Sequence, residues 1–222
     1  HLLAEESVAA HPGLYGDFFR CIRRLDAPSL DCLTSLPEQA PWHVARLLAS
    51  AGELTGKTVV MCETSDHAQR YRPAGDTRPV VPVSEEQIRG TCNRLIYGGV
   101  NVITSYYSFS GLTSGQLRRL NEHIGRCCTM LTGGHQVADV AVLYPSETLW
   151  RHTVPSHLWA TDAGGARQVE QAYFAASRAL YADGRDFAYM DSQALADAQV
   201  RAGVLTHGAL QWRLVVLPRA DT

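Results

Sequence analysis

Two hydrophobic textures alternate along the first 130 or so residues. "SLDCLTS", "TVVMCE" and "VNVITSYYS" are short, nearly continuous apolar or β-favouring runs, the pattern of strands covered on both faces. Between them, apolar residues recur at helical spacing. These are Leu14, Phe18, Cys21, Ile22 and Leu25 in "GLYGDFFRCIRRLD", and Val44, Leu47, Leu48 and Ala51 in "PWHVARLLASAGELTG". Ile88, Cys92, Leu95 and Ile96 do the same in "VSEEQIRGTCNRLIYGG", as do Leu117, Leu120, Ile124, Cys127 or Cys128 and Leu131 in "SGQLRRLNEHIGRCCTMLTGG". Ser84 reads as an N-cap whose capping box is completed by Gln87, and Gly56 and Gly98 read as stops. With "HLLA" as a first short strand, the pattern predicts four strand–helix units in succession.

From "GGHQVADVAVLYPSETLW" onward the texture changes. Val140 to Leu143 read as a strand ending in Tyr144-Pro145, followed by a long polar loop with Trp150, His152, His157 and Trp159. A helix near "ARQVEQAYFAASRALYADG", a strand at "FAYMD", a short helix at "SQALADAQ" and a strand at "RLVVLP" follow. The expected division is therefore residues 1–133 and 134–222. The fold class is α/β, because repeated strand–helix units argue for a parallel sheet covered by helices. Such alternation fits half of an eight-stranded barrel or an open doubly wound sheet. No strand is followed by a glycine-rich GxGxxG or Walker turn, which leans toward the barrel.

Composition narrows the partners more than the fold. At 222 residues and 45% hydrophobic content the chain can bury a substantial core. A formal charge of −2, with acids and bases interspersed, supplies no basic patch for nucleic acid or an anionic membrane. No apolar run approaches the roughly 20 residues of a membrane-spanning helix. The six cysteines show no CxxC pair and no zinc spacing, so packed, reduced thiols are expected. The opening "HLLAEES" and closing "RLVVLPRADT" read as cuts through a larger polypeptide, whose upstream and downstream parts are then expected partners.

Chemistry concentrates where strands end. Glu5 and Glu6 follow the first strand, Asp31 lies in the second, Glu63 ends the third, and Ser105, Tyr106 and Tyr107 end the fourth. In parallel strands these groups gather at one rim. Paired carboxylates with hydroxyls and flat aromatic faces suit glycosidic bond cleavage, in which one acid protonates the leaving oxygen and another carboxylate attacks or activates water. Glu63 and Glu6 are the candidate catalytic acids. Asp31, His67, Tyr106, Tyr107 and Trp42 are candidate substrate contacts. Each also has a structural reading: a strand-end acid turned to water, a salt-bridged loop acid, a core tyrosine, a packed tryptophan. Two rival functions use the same rim. One is a metal-dependent lyase or isomerase with Glu6, Asp31 and Glu63 as ligands. The other is a carbohydrate-binding relative without catalysis.

"HLLAEES…YGDFFRCIRRLDAPSLDCLTS", "VVMCETS", "GGVNVITSYYS" and "VADVAVLYPSETLW", in that order, resemble the later catalytic region of glycoside hydrolase family 106, the bacterial α-L-rhamnosidases. That resemblance implies the fifth to eighth strands of a (β/α)8 barrel, followed by the start of a flavodoxin-like accessory domain. It makes Glu63 the seventh-strand carboxylate, which activates water in an inverting reaction, and Glu6 a supporting residue or metal ligand. The partner acid would come from an upstream fourth strand, the substrate would be a carbohydrate, and calcium would be an associated cation. The loop "TSDHAQRYRP" and the strand end "TSYYS" depart from the Gly- and Trp-containing loop and the His that the family's rhamnosidases carry.

Overall fold

The computed structural model describes residues 6–7, 17–71, 74–77, 79–153 and 164–219. Two compact units divide the chain. Unit 1 takes His1–Val8, Leu25–Ala49 and Lys57–Gly134, and unit 2 takes Ala9–Arg24, Ser50–Gly56 and His135–Thr222.

Unit 1 is built on a parallel sheet of β1 (Glu6–Ser7), β2 (Ser29–Cys32), β3 (Met61–Ser65) and β4 (Val102–Tyr106). Its strand order, β1-β2-β3-β4, follows the chain without reversal, and the sheet is not closed. The register sets Ser29 beside Met61 and Val102, and Asp31 beside Glu63 and Thr104. Residues paired across parallel strands face the same side, and neighbours along a strand face opposite sides. Leu30, Cys32, Cys62 and Thr64 are accordingly buried on one face, whereas Asp31, Met61 and Glu63 are half-buried and Thr104 and Tyr106 exposed on the other.

Between the strands lie the helices α2 (Trp42–Leu54), α3 (His67–Arg70) and α4 (Glu85–Tyr97), with α5 (Ser114–Leu131) after β4. The helix α1 (Phe18–Arg24) belongs to unit 2. At the start of α4, Ser84 Oγ accepts from the Gln87 amide at 3.2 Å while Gln87 Oε1 accepts from the Ser84 amide at 2.9 Å, so the capping box forms as expected. Gly98 caps the helix, but the left-handed backbone is at Gly99, φ 108°, where a Cβ would come within 2.5 Å of the Ala49 methyl. A second capping box joins Thr113 and Gln116. Ile88, Cys92, Ile96, Leu120 and Ile124 meet Val83 and Tyr107 in one core cluster. Leu131, expected inward, is exposed, because it sits in the last turn of α5 beyond that cluster.

Several expected bounds shift. His1 to Ala4 lie outside the described residues, and the first described strand is at Glu6–Ser7. β3 starts at Met61 and continues through Thr64 and Ser65, so Glu63 is its middle residue and does not end it. β4 ends at Tyr106, one residue before Tyr107.

Unit 2 has a parallel sheet ordered β10-β5-β6, made of β5 (Val140–Leu143), β6 (Phe187–Met190) and β10 (Leu214–Val216). Every residue of β5 and β6 is buried. Tyr144, Tyr173 and Tyr189 stack edge to face beside them, at 5.3 Å and 6.2 Å, and the Tyr189 hydroxyl hydrogen-bonds Ser177 at 2.6 Å. The stretch after Tyr144-Pro145, expected as a loop, is the helix α6 (Ser146–His152), which carries Trp150 and His152 and buries Thr148 and Leu149. His157 and Trp159 lie outside the described residues. The helices α7 (Gly164–Ala182) and α8 (Ser192–Asp197) match expectation. A three-stranded antiparallel meander, β7 (Gln199–Arg201), β8 (Val204–His207) and β9 (Leu210–Trp212), was not anticipated. Its first turn puts Ala202 and Gly203 at positive φ, the twist a two-residue hairpin loop requires.

Candidate functional site

β2 and β3 bring Asp31 and Glu63 together. They are register partners, one strand spacing of about 4.8 Å apart at the backbone, with both side chains on the less covered sheet face. Their environments differ. Asp31 is half-buried, and its Oδ1 is inaccessible to water with no hydrogen-bond partner among the described residues. Burial raises its pKa from the ordinary aspartate value; the neighbouring Glu63 charge raises it further, and His67 partly offsets both. The site thus holds two adjacent carboxylates, one pushed toward keeping its proton, within electrostatic reach of an imidazole.

The other predicted residues separate by strand pleat and by element. Tyr106, the last residue of β4, is 66% exposed and lies on the Glu63 face, two residues beyond Thr104. Tyr107 goes the other way, into the core cluster with Ile88 and Leu120. Burial pushes its phenol well up; Thr64 and Ser35 hydroxyls lie near it, though none is aligned as a hydrogen-bond partner. His67 opens α3 just past β3, exposed and stacked on Tyr71 at 5.5 Å. Trp42 starts α2, half-buried and edge-on to His43 at 5.7 Å. Glu6 is in β1 beside Ser29, two register positions below the Asp31–Glu63 level.

The loops leaving the carboxyl ends of β2, β3 and β4 are laced together, chiefly by residues that sequence reasoning passed over. Asp66, 1% exposed, accepts from the Ser108 hydroxyl at 3.2 Å and ion-pairs with Arg70 Nε at 3.1 Å, the latter without hydrogen-bond alignment. Ser35 Oγ donates to the Ser65 carbonyl at 3.0 Å, and Gln69 bridges the Ser35 amide and Thr34 Oγ1 at 2.9 Å each. Asp66 could have been noticed as an acid just past an apolar strand. Its burial could not, since only the closeness of the β3 and β4 loops removes it from water.

Cys62, beside Glu63 in the chain, faces the helices. Burial pushes its thiol well above the ordinary value, so no thiolate is at hand for nucleophilic work. Among the described residues no three His, Cys, Asp or Glu side chains converge as a metal site. Among the described residues the calcium implied by the resemblance finds no complete donor set.

No protein-family model matches the chain, and no curated protein matches it. Among solved structures it is similar to a rhamnosidase from Novosphingobium sp. PP1Y, with a TM-score of 0.60 at 17% identity. The match takes in 97% of this chain and 20% of the rhamnosidase, so the chain spans about a fifth of that structure's length. At this identity the likeness is one of fold.

Proposed function

We propose that this chain is part of a glycoside hydrolase. Residues 1–133 would supply the second half of a (β/α)8 barrel, and residues 134–222 the start of a flavodoxin-like accessory domain. The observation that carries this reading is the Asp31–Glu63 pair: adjacent carboxylates on a sheet face with exposed residues, in the neighbouring parallel strands β2 and β3. A strand order that follows the chain, and fold likeness to a rhamnosidase, support it.

Glu63 acts as the base that activates water at the anomeric carbon. Asp31, the register partner of Glu63, raises the local negative charge beside the base and offers a carboxyl group to a sugar hydroxyl. The general acid comes from a strand upstream of His1. Tyr106 presents an exposed ring for a sugar face, with His67 just past the end of β3. α-L-Rhamnosides are the first substrates to try.

The test is nitrophenol release from a panel of aryl glycosides, α-L-rhamnoside included, by the longer protein that contains this chain and by its Glu63→Gln variant. A loss of about 10³-fold or more in the variant is expected for a catalytic carboxylate. Equal rates in both would remove Glu63 from the mechanism.

A further inference from the structure

Helix α5 carries chemistry that neither its packing nor the carboxylate site uses. Leu120 and Ile124 are its buried residues and meet the core cluster. Beside that buried face, His123, Cys127 and Met130 recur at i, i+4 and i+7, the spacing that sets side chains one above another along one side of a helix. His123 and Cys127 are half-buried, and Met130 is 85% exposed. An imidazole, a thiol and a thioether thus stand in one row that water reaches.

Two of the three donors lie together. Cys127 Sγ is 3.9 Å from His123 Nε2, at the outer limit of a sulfur hydrogen bond, and the same nitrogen lies 2.9 Å from Asn93 Oδ1 on α4, which steadies the ring. Thiolate and imidazole bonds to a metal run at about 2.3 Å and 2.0–2.1 Å, so an ion held by both atoms across 3.9 Å would subtend roughly 125–130°, close to trigonal coordination. Asn93 is exposed, and its amide turns aside into solvent as the ion takes up the nitrogen. The third position falls to Met130. Long side chains on a helix lean back toward its N-terminus over the residues three and four before them, and for Met130 the first of these is Cys127.

The donor types select the ion. Among the described residues no three His, Cys, Asp or Glu side chains converge, so calcium, which needs many oxygens, and a closed zinc site both lack ligands. Thiolate and thioether sulfur favour Cu(I), and imidazole suits copper as well. A metal takes the thiolate, so a thiol that holds its proton does not compete. Burial pushes Cys32 up to about 11, Cys92 up to about 12 and Cys62 well above the ordinary value, and burial together with the Cys127 charge raises Cys128.

We propose that His123, Cys127 and Met130 form a three-coordinate site on α5 for a soft monovalent cation, Cu(I). The proposal does not rest on catalysis at Glu63, and either can fail alone. The experiment is an anaerobic titration of Cu(I) in competition with a chromogenic chelator, on the longer protein that contains this chain. It is run on the wild type, on Cys127→Ser, His123→Gln and Met130→Leu, and on Cys21→Ser as a thiol control, with an unchanged melting temperature to verify folding. Cys127→Ser should lose one equivalent of Cu(I) relative to the wild type. His123→Gln and Met130→Leu should hold that equivalent roughly tenfold or more weakly, Cys21→Ser should match the wild type, and excess Zn²⁺ or Ca²⁺ should not displace the copper. Full stoichiometry in Cys127→Ser, unchanged affinity in His123→Gln or in Met130→Leu, an equal loss in Cys21→Ser, or displacement by Zn²⁺ or Ca²⁺ would each overturn the proposal.

Discussion

Asp31 keeps a carboxyl oxygen out of water with nothing bonded to it, beside a second carboxylate, and that arrangement works against folding. Its folded pKa is raised above the unfolded value, so over the interval between the two the native chain holds a proton that the unfolded chain has released. Stability must then fall as pH rises through that interval. Asp31→Asn removes the penalty. Its melting temperature should exceed the wild type's by roughly 2–4 °C at neutral pH, and the gap should close near pH 4, where the unfolded carboxylate takes up its own proton. Calorimetry at the two pH values decides it; a variant that melts lower at neutral pH would show Asp31 to be a stabilising structural acid. Glu63 and Asp31 were both legible as strand acids. That they are register partners was not, because pairing depends on which residues of separate strands align.

At the scale of elements, local signals and tertiary contacts divide the work. The Ser84–Gln87 capping box is readable from four residues of sequence and forms as read, because both its bonds lie within one turn. Gly99 matters for a different reason: it combines positive φ with the approach of Ala49 from another helix. Ser84→Ala should cost about 1 kcal/mol in chemical denaturation, and Gly99→Ala at least twice that, roughly 2–4 kcal/mol, from strain and overlap together. Equal costs would mean that α2 and α4 part easily. The helix at Ser146–His152 and the meander at 199–212 escaped the reading. A seven-residue helix shows barely two turns of periodicity, and three- and four-residue strands show one alternation. The Ala202-Gly203 turn was the one local cue to the hairpin.

On the scale of the whole chain, the unit 1 sheet is covered on its Leu30–Cys62 face and exposes Val102, Thr104 and Tyr106 on the other. If, as proposed, the sheet is half of a barrel whose other strands cover that face, residues 1–222 expressed alone should bind a hydrophobic dye strongly and sediment as aggregates. A soluble monomer with a cooperative melt and no dye binding would refute the half-barrel assignment.

The sequence alone determined what depends on short-range periodicity and local bonding: the alternating α/β texture, most of the helices and the capping box, and it marked Asp31 and Glu63 as acids of apolar strands, though not their places within them. Tertiary structure decided what depends on alignment across long loops. It paired Asp31 with Glu63, sent Tyr106 and Tyr107 to opposite faces, and buried Asp66 between two loops. Each of these is set by strand register or by desolvation, and neither exists until distant segments meet.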